Sequence, residues 1–277
     1  MKILNQAFGE NWVMYHGDSA EVLDGLPDES FDISVFSPPF QGLYVYSATE
    51  RDLGNCKTAK EFFDHMDFIT SHLVRVIKSG RIVAVHCAQI TAQKVLDGYI
   101  GLKDFRGSLI KHYTKHGLIF HREVCIDKEA LLFVQKRKDR SWLGPAIADY
   151  ILFFRKGIDD PAVPINNGEI TDEQWIEWAR PIWYGMRETD TLQAPPKKND
   201  ERHVAPLQLG VIERCVRLWS NPGEIVLSPF AGIGSEGYEA VRLGRKFIGI
   251  ELKPEYFAAA CSNLQKAENE GNQINLL

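Results

Sequence analysis

Four consecutive residues, Ser37-Pro38-Pro39-Phe40, set a hydroxyl, two rigid prolines with their carbonyls and an aromatic ring side by side. They follow Phe31-Asp32-Ile33-Ser34-Val35-Phe36, an apolar, β-prone run of strand length. Consecutive prolines lack backbone donors and fix φ, so the chain must leave the sheet there in a stiff, extended form. Open α/β sheets place their ligands at the carboxyl ends of strands, which is where these groups would stand. The competing account is a generic strand-ending turn with a packed phenylalanine.

A second constellation lies far along the chain, at Pro229-Phe230-Ala231-Gly232-Ile233-Gly234-Ser235-Glu236-Gly237. It sits between a strand pattern and a helix pattern, and Glu251 ends the next strand pattern 19 residues after Gly232. Small residues let backbone approach a ligand, and a carboxylate on the second strand can accept hydrogen bonds from ribose hydroxyls. Gly232, Gly234 and Gly237 formally satisfy the dinucleotide-binding spacing, so an NAD-dependent Rossmann oxidoreductase is one reading. Three features oppose it. The turn comes late in the chain, Pro229-Phe230 is unusual before a pyrophosphate loop, and hydride transfer has no use for Ser37-Pro38-Pro39-Phe40.

The elements needed to position these groups are legible as an alternation. Trp12–His16 reads as a strand, broken by Gly17-Asp18-Ser19, where Asp18 or Ser19 can cap the following helix. A long loop rich in Gly, Tyr and Ser occupies 41–57, and loops of this length tend to be functional. The apolar spacing from Phe62 to Ile77 predicts an amphipathic helix over 58–78, closed by Gly80. The run 82–87 predicts a buried strand, and a helix near 102–116 and a strand near 118–126 continue the rhythm. Residues 127–200 break it, with a strand at 150–154, a Pro/Asn/Gly stretch and a short helix near 171–179. They read as an insertion with irregular structure of its own rather than core. From Pro206, expected in a first helical turn, regularity returns through strands at 224–228 and 247–250 to a last helix from Pro254. The fold class is therefore α/β, a doubly wound, mostly parallel sheet. Its parts are 1–126, the insertion 127–200, and 201–277, which completes the first.

Composition sets the outer bounds. The 277 residues can bury a full core, and 44% hydrophobic with 25% charged residues is ordinary for a globular protein. The amino terminus carries no secretory pattern, and no apolar run reaches membrane-spanning length. Five scattered cysteines, odd in number and never in a Cys-x-x-Cys pair, argue for a reducing cytoplasm and against zinc or disulfides. His86, Cys87, His112, His116 and His121 accordingly read as core or surface residues, and no metal is expected. The net charge of −5 hides an uneven distribution. Residues 103–156 hold 12 Lys/Arg against 6 Asp/Glu, a local +6 that leaves −11 for the rest. Lys136, Arg137, Lys138 and Arg140 form the densest cluster and could neutralise phosphates, although a solvated charged face is the plainer account of any one of them.

Together, Gly17-Asp18-Ser19, Ser37-Pro38-Pro39-Phe40, Pro229-Phe230-Ala231-Gly232-Ile233-Gly234 and Gly249-Ile250-Glu251 give the chain its resemblance to a family. It resembles the S-adenosylmethionine-dependent DNA amino-methyltransferases of the β arrangement, in which the catalytic motif precedes the cofactor motif. The resemblance implies a Rossmann-like methyltransferase fold with permuted motif order, and a target-recognition region at 127–200. It implies that Asp18 holds the cofactor adenine, Glu251 the ribose, and the turn Phe230, Ala231, Gly232, Gly234 and Ser235 the methionine portion. Ser37, His203 and Pro206 would flank that end. Ser37, Pro38, Pro39 and Phe40 would be catalytic, on a base flipped from double-stranded DNA. An exocyclic amine is a poor nucleophile because its lone pair is delocalised into the ring. Acceptors at Ser37 and Pro38 would pull that nitrogen toward tetrahedral geometry for in-line attack on the methyl group, while Phe40 stacks on the base.

Methylation at a ring carbon needs a cysteine, typically after a proline, and none of the five follows one. Serine in the first motif position is commoner in N4-cytosine enzymes, but adenine enzymes are the larger group, so the base stays open. A homodimer is carried over from the family, and no endonuclease module is visible, so a restriction partner would be a separate protein. An inactive, DNA-binding relative is the remaining alternative; the intact Ser37-Pro38-Pro39-Phe40 and Glu251 oppose it.

Overall fold

A computed structural model describes residues 2–40, 53, 56, 58–92, 94–129, 147–193 and 206–274. Its strands are β1 (Asn5–Phe8), β2 (Trp12–His16), β3 (Phe31–Phe36), β4 (Ile77–Ala88), β5 (Ile90–Ala92), β6 (Gly101–Lys103), β7 (Leu118–Glu129), β8 (Asp149–Lys156), β9 (Ile182–Arg187), β10 (Ile225–Ser228) and β11 (Lys246–Glu251). Its helices are α1 (Ser19–Asp24), α2 (Ala59–Val76), α3 (Lys94–Asp97), α4 (Phe105–Lys115), α5 (Asp172–Trp178), α6 (Leu209–Trp219), α7 (Ser235–Arg242) and α8 (Pro254–Ile274). Nine strands form one sheet in the order β1-β2-β11-β10-β3-β4-β8-β7-β9, with β5 and β6 as a separate hairpin. From β2 to β4 every neighbouring pair is parallel. The expected doubly wound, mostly parallel sheet is present.

Alternation along the central strands sorts the core onto two faces. Ile33, Val35, Ile82, Ala84, Ile151 and Phe153 join one apolar cluster, which α6, α7 and α8 cover. Phe36, Val83, Val85, Leu152 and Phe154 join the other, under α1, α2 and α4. Successive strand residues point to opposite faces, so with both faces buried the strands are predominantly apolar.

Three expectations are corrected. Helix α2 ends at Val76 and passes directly into β4, so Gly80 does not close the helix but sits inside the strand. It lies where the β3–β4 register shifts, at φ +77°, and an added Cβ would stand 2.5 Å from the Pro161 nitrogen. That is a bulge position, where glycine admits both the conformation and the close neighbour. The strand near 150–154 is likewise no part of a detached insertion. As β8 it is inserted between β4 and β7, antiparallel to both, and Ile151 to Phe154 are fully buried. Pro206, finally, precedes the first helical turn: α6 begins at Leu209 with Gln208 as its cap.

The amino ends of the central strands are fastened by charge. Asp32 at the start of β3 accepts from Lys78 Nζ at 2.6 Å and from the Ile225 backbone at 3.0 Å. Buried Arg81 meets Glu224 just ahead of β10. These paired groups, Asp32 and Arg81 among them buried, close one end of the sheet. The carboxyl ends carry the cleft.

Candidate active site

Strands β2, β3, β10 and β11 all finish at one edge of the sheet, and the turns that leave them line a single solvent-open cleft of about 1080 Å³. Ser37, Pro38, Pro39 and Phe40, which leave β3, form one wall. Phe230, Ala231, Gly232 and Ser235, which leave β10, form another, and Asp18 after β2 and Glu251 at the end of β11 complete it. Pro206 also reaches the cleft. The two motifs far apart in sequence therefore face one space.

The β10 turn owes its shape to glycine. Gly232 has φ +53° and Gly234 +85°, left-handed values that L side chains rarely adopt. Gly234 caps α7 without a side-chain hydrogen bond, which leaves that helix's first amides directed at the turn. Gly237 lets α7 lie against the sheet, since a Cβ there would meet the Phe247 ring at 2.4 Å. Glu251 is locked in place, its carboxylate accepting from the Gly232 amide and the Lys253 amide, each at 2.8 Å. Ser235 Oγ is buried, lines the cleft, and has no hydrogen-bond partner among the described residues. A buried hydroxyl is seldom left so, and a ligand with polar groups would satisfy it. An uncapped helix start, an orphan hydroxyl and a fixed carboxylate suit a nucleoside bearing an amino-acid end.

Asp18 has two duties. Its Oδ1 caps α1, accepting from the Ala20 amide at 2.9 Å and the Glu21 amide at 3.3 Å, while the residue lines the cleft. Ser19 ties that corner to the β10 turn by donating to the Pro229 carbonyl at 2.5 Å. Buried Glu236, at the start of α7, also borders the cleft; burial, with Glu251 adding to it, pushes its carboxyl up to about 8.

Sequence reasoning missed two residues behind the first motif. His86, read as a core or surface residue, has Nδ1 3.0 Å from Ser37 Oγ, and its Nε2 is 3.1 Å from Asp149 Oδ2. Both are nearly buried. The Phe40 ring meets His86 edge-on at 6.2 Å and Phe105 at 5.8 Å. Of the other histidines, His112 on α4 and His116 at its cap stand one turn apart beside Asp67, and His116 Nε2 is 2.7 Å from its Oδ1. Burial, with His116 nearby, pushes His112 down to about 4, so it is neutral at pH 7.

Comparison with known proteins decides among the sequence readings. The sequence model of the N6_N4_Mtase family, described as DNA methylase, matches residues 31–262. The chain belongs to this family of DNA methylases. Its relatives include the DNA adenine methyltransferase YhdJ of Escherichia coli K12, 25% identical over 269 residues that cover 92% of this chain and 83% of YhdJ. Among solved structures, TTHA0409 of Thermus thermophilus, complexed with S-adenosyl-L-methionine, superimposes with a TM-score of 0.71 at 22% identity. The match covers 93% of this chain and 96% of that one. The cytosine-N4-specific PvuII DNA methyltransferase gives 0.68 at 21% identity, covering 99% and 96%. These likenesses share the fold, and the family model carries the membership.

Membership in the DNA methylases removes the oxidoreductase reading of Gly232, Gly234 and Gly237. Of the residues singled out in the sequence, the cleft unites Asp18, Ser37, Pro38, Pro39, Phe40, Pro206, Phe230, Ala231, Gly232, Ser235 and Glu251, with Gly234 shaping the turn. His203, Lys136, Arg137, Lys138 and Arg140 lie outside the described residues. No helix among the described residues is long and apolar enough to cross a membrane.

Proposed function

We propose that this DNA methylase moves a methyl group from S-adenosylmethionine to the exocyclic amino group of a base flipped out of double-stranded DNA, with Ser37 and Pro38 as the acceptors that hold the amine. The observation that carries this reading is the meeting of the β3 and β10 turns in one cleft with Glu251 between sequence-distant walls. S-adenosylmethionine supplies an electrophilic methyl group when bound. The residues of this chain supply orientation. Glu251 holds the ribose hydroxyls, Asp18 the adenine, and the turn from Phe230 to Ser235 the methionine portion. Ser37 Oγ and the Pro38 carbonyl accept from the amine and draw its lone pair out of conjugation. Phe40 stacks on the extruded base.

The base is adenine or cytosine, and Ser37 accepts from either. Base-specific contacts are assigned to the part of 127–200 that leaves the sheet, and phosphate contacts to Lys136, Arg137, Lys138 and Arg140, which makes DNA affinity steeply salt-dependent. A homodimer and a separate restriction endonuclease are the partners proposed for it, in the cytoplasm. Two measurements test this. Isothermal titration gives S-adenosylmethionine binding and none with NAD; the reverse pattern overturns the reading. Methylation-aware sequencing of DNA from cells expressing the protein returns one modified base in one sequence context. An unmodified genome would contradict it.

A further inference from the structure

A serine hydroxyl both donates and accepts, so its presence beside an amine does not determine which it does. To draw out the lone pair of an amino group, Ser37 must accept. Aspartate or asparagine in this position offers an oxygen that only accepts; serine needs something to take its own proton.

Sheet register places that partner. Phe36 pairs with Val85, so Ser37, the first residue past β3, stands beside His86 near the end of the parallel strand β4. Strand β8 runs the other way and pairs Ala88 with Asp149, so its first residue stands at the same edge. The result is a chain of contacts from Ser37 Oγ to His86 Nδ1 at 3.0 Å and from His86 Nε2 to Asp149 Oδ2 at 3.1 Å. His86 is 8% exposed and Asp149 5%, so water does not compete freely with either contact. A carboxylate accepts, so Nε2 carries a proton, and in the neutral imidazole that leaves a lone pair on Nδ1. Ser37 must then donate to Nδ1, and the remaining lone pairs of Oγ are directed into the cleft that Ser37 lines.

We infer that His86, fixed in one tautomer by Asp149, is a positioning residue that holds the Ser37 hydroxyl as an obligate hydrogen-bond acceptor for the target amine. The inference rests on the methyltransferase reading above. It explains how a serine does the work of a side chain that can only accept, and it gives the antiparallel strand β8 a part in the site.

Two variants with the same amide group but different reach test it. In His86→Asn the side-chain oxygen stands near the position of Nδ1 and can still take the Ser37 proton. In His86→Gln it stands near Nε2 and cannot. The readouts are kcat and KM for methyl transfer to unmethylated genomic DNA, the Kd for S-adenosylmethionine, and Tm. His86→Asn is expected to keep most of the wild-type kcat, while His86→Gln loses about tenfold, with KM and Kd unchanged in both. A role confined to holding strands together would move Tm in both and separate neither in kcat. Equal kcat values, or a faster Gln variant, overturn the inference. Should either variant fail to bind the cofactor, Asp149→Asn decides with His86 in place: lower kcat at unchanged Kd supports the tautomer lock, and wild-type kcat refutes it. A wild-type protein that methylates no DNA would instead sink the underlying reading before any variant is compared.

Discussion

The two turns that meet in the cleft solve different problems with different materials. The β3 turn is built from prolines, which stiffen the backbone, and it presents side chains to the cleft, Ser37 and Phe40, with His86 and Asp149 behind Ser37. The β10 turn is built around glycines in left-handed conformations, is fastened by Glu251 to the Gly232 amide, and leads into the amino end of α7, whose first amides are the proposed binding groups. A reacting amine must be oriented at one atom, which a fixed side chain does well. A large cofactor must be held along its length, which a string of amides at a helix start does well. Substitutions in the first turn should therefore reach turnover and leave binding alone, while those in the second should reach binding or folding.

The largest effect expected is on the first turn. Ser37→Ala should lower kcat by about 100-fold, as loss of an aimed hydrogen-bonding group in a reaction site does, while the Kd for S-adenosylmethionine by titration stays as in the wild type. Equal losses in both quantities would erase the division of labour. Glu251→Ala should show the opposite pattern, with Kd raised about 10–100-fold from the loss of charge-assisted hydrogen bonds. Gly234→Ala forces a side chain into φ +85°, with its Cβ 3.1 Å from Ala260. The left-handed penalty of about 1–2 kcal/mol should appear as a lower Tm, and cofactor binding should weaken with it.

The smallest effect is on pH dependence. Burial raises the Glu236 carboxyl to about 8, so the folded chain binds this proton more tightly than the unfolded chain does. The stability it contributes is full below the ordinary carboxylate range and is lost as pH climbs through the folded value. Glu236→Gln keeps a neutral group at every pH, so its melting temperature should fall less than that of the wild type between pH 5 and 8. Parallel curves would show that the Glu236 side chain does not enter the site neutral.

What the sequence made legible follows the same division. Both turns are local features, bounded by apolar runs, and the strand Phe31–Phe36 has the bounds its composition suggests. The helix 59–76 follows from its periodicity, although Gly80 marks a bulge in β4 rather than the helix end. Strand β9 escaped notice because Gly185, at φ +72°, interrupts its alternation and only Trp183 and Met186 are buried. His86 and Asp149 escaped for a different reason. His86 is 49 residues from Ser37 and 63 from Asp149, and only the register of β3, β4 and β8 joins the three. Strand order in a sheet is not a local property, so a side chain's nearest neighbours across strands are invisible to periodicity. Asp149 also stood in a stretch read as an insertion, so the strand legible at 150–154 was not assigned to the central sheet.

Transfer of a methyl group to an exocyclic amine is the proposed reaction, and the nucleosides themselves record it. Unmethylated DNA is incubated with the purified protein and methyl-labelled S-adenosylmethionine, digested, and separated by mass. Label in N6-methyladenine or N4-methylcytosine is the predicted result. Label in 5-methylcytosine, or in no nucleoside while the protein binds the cofactor, would contradict it.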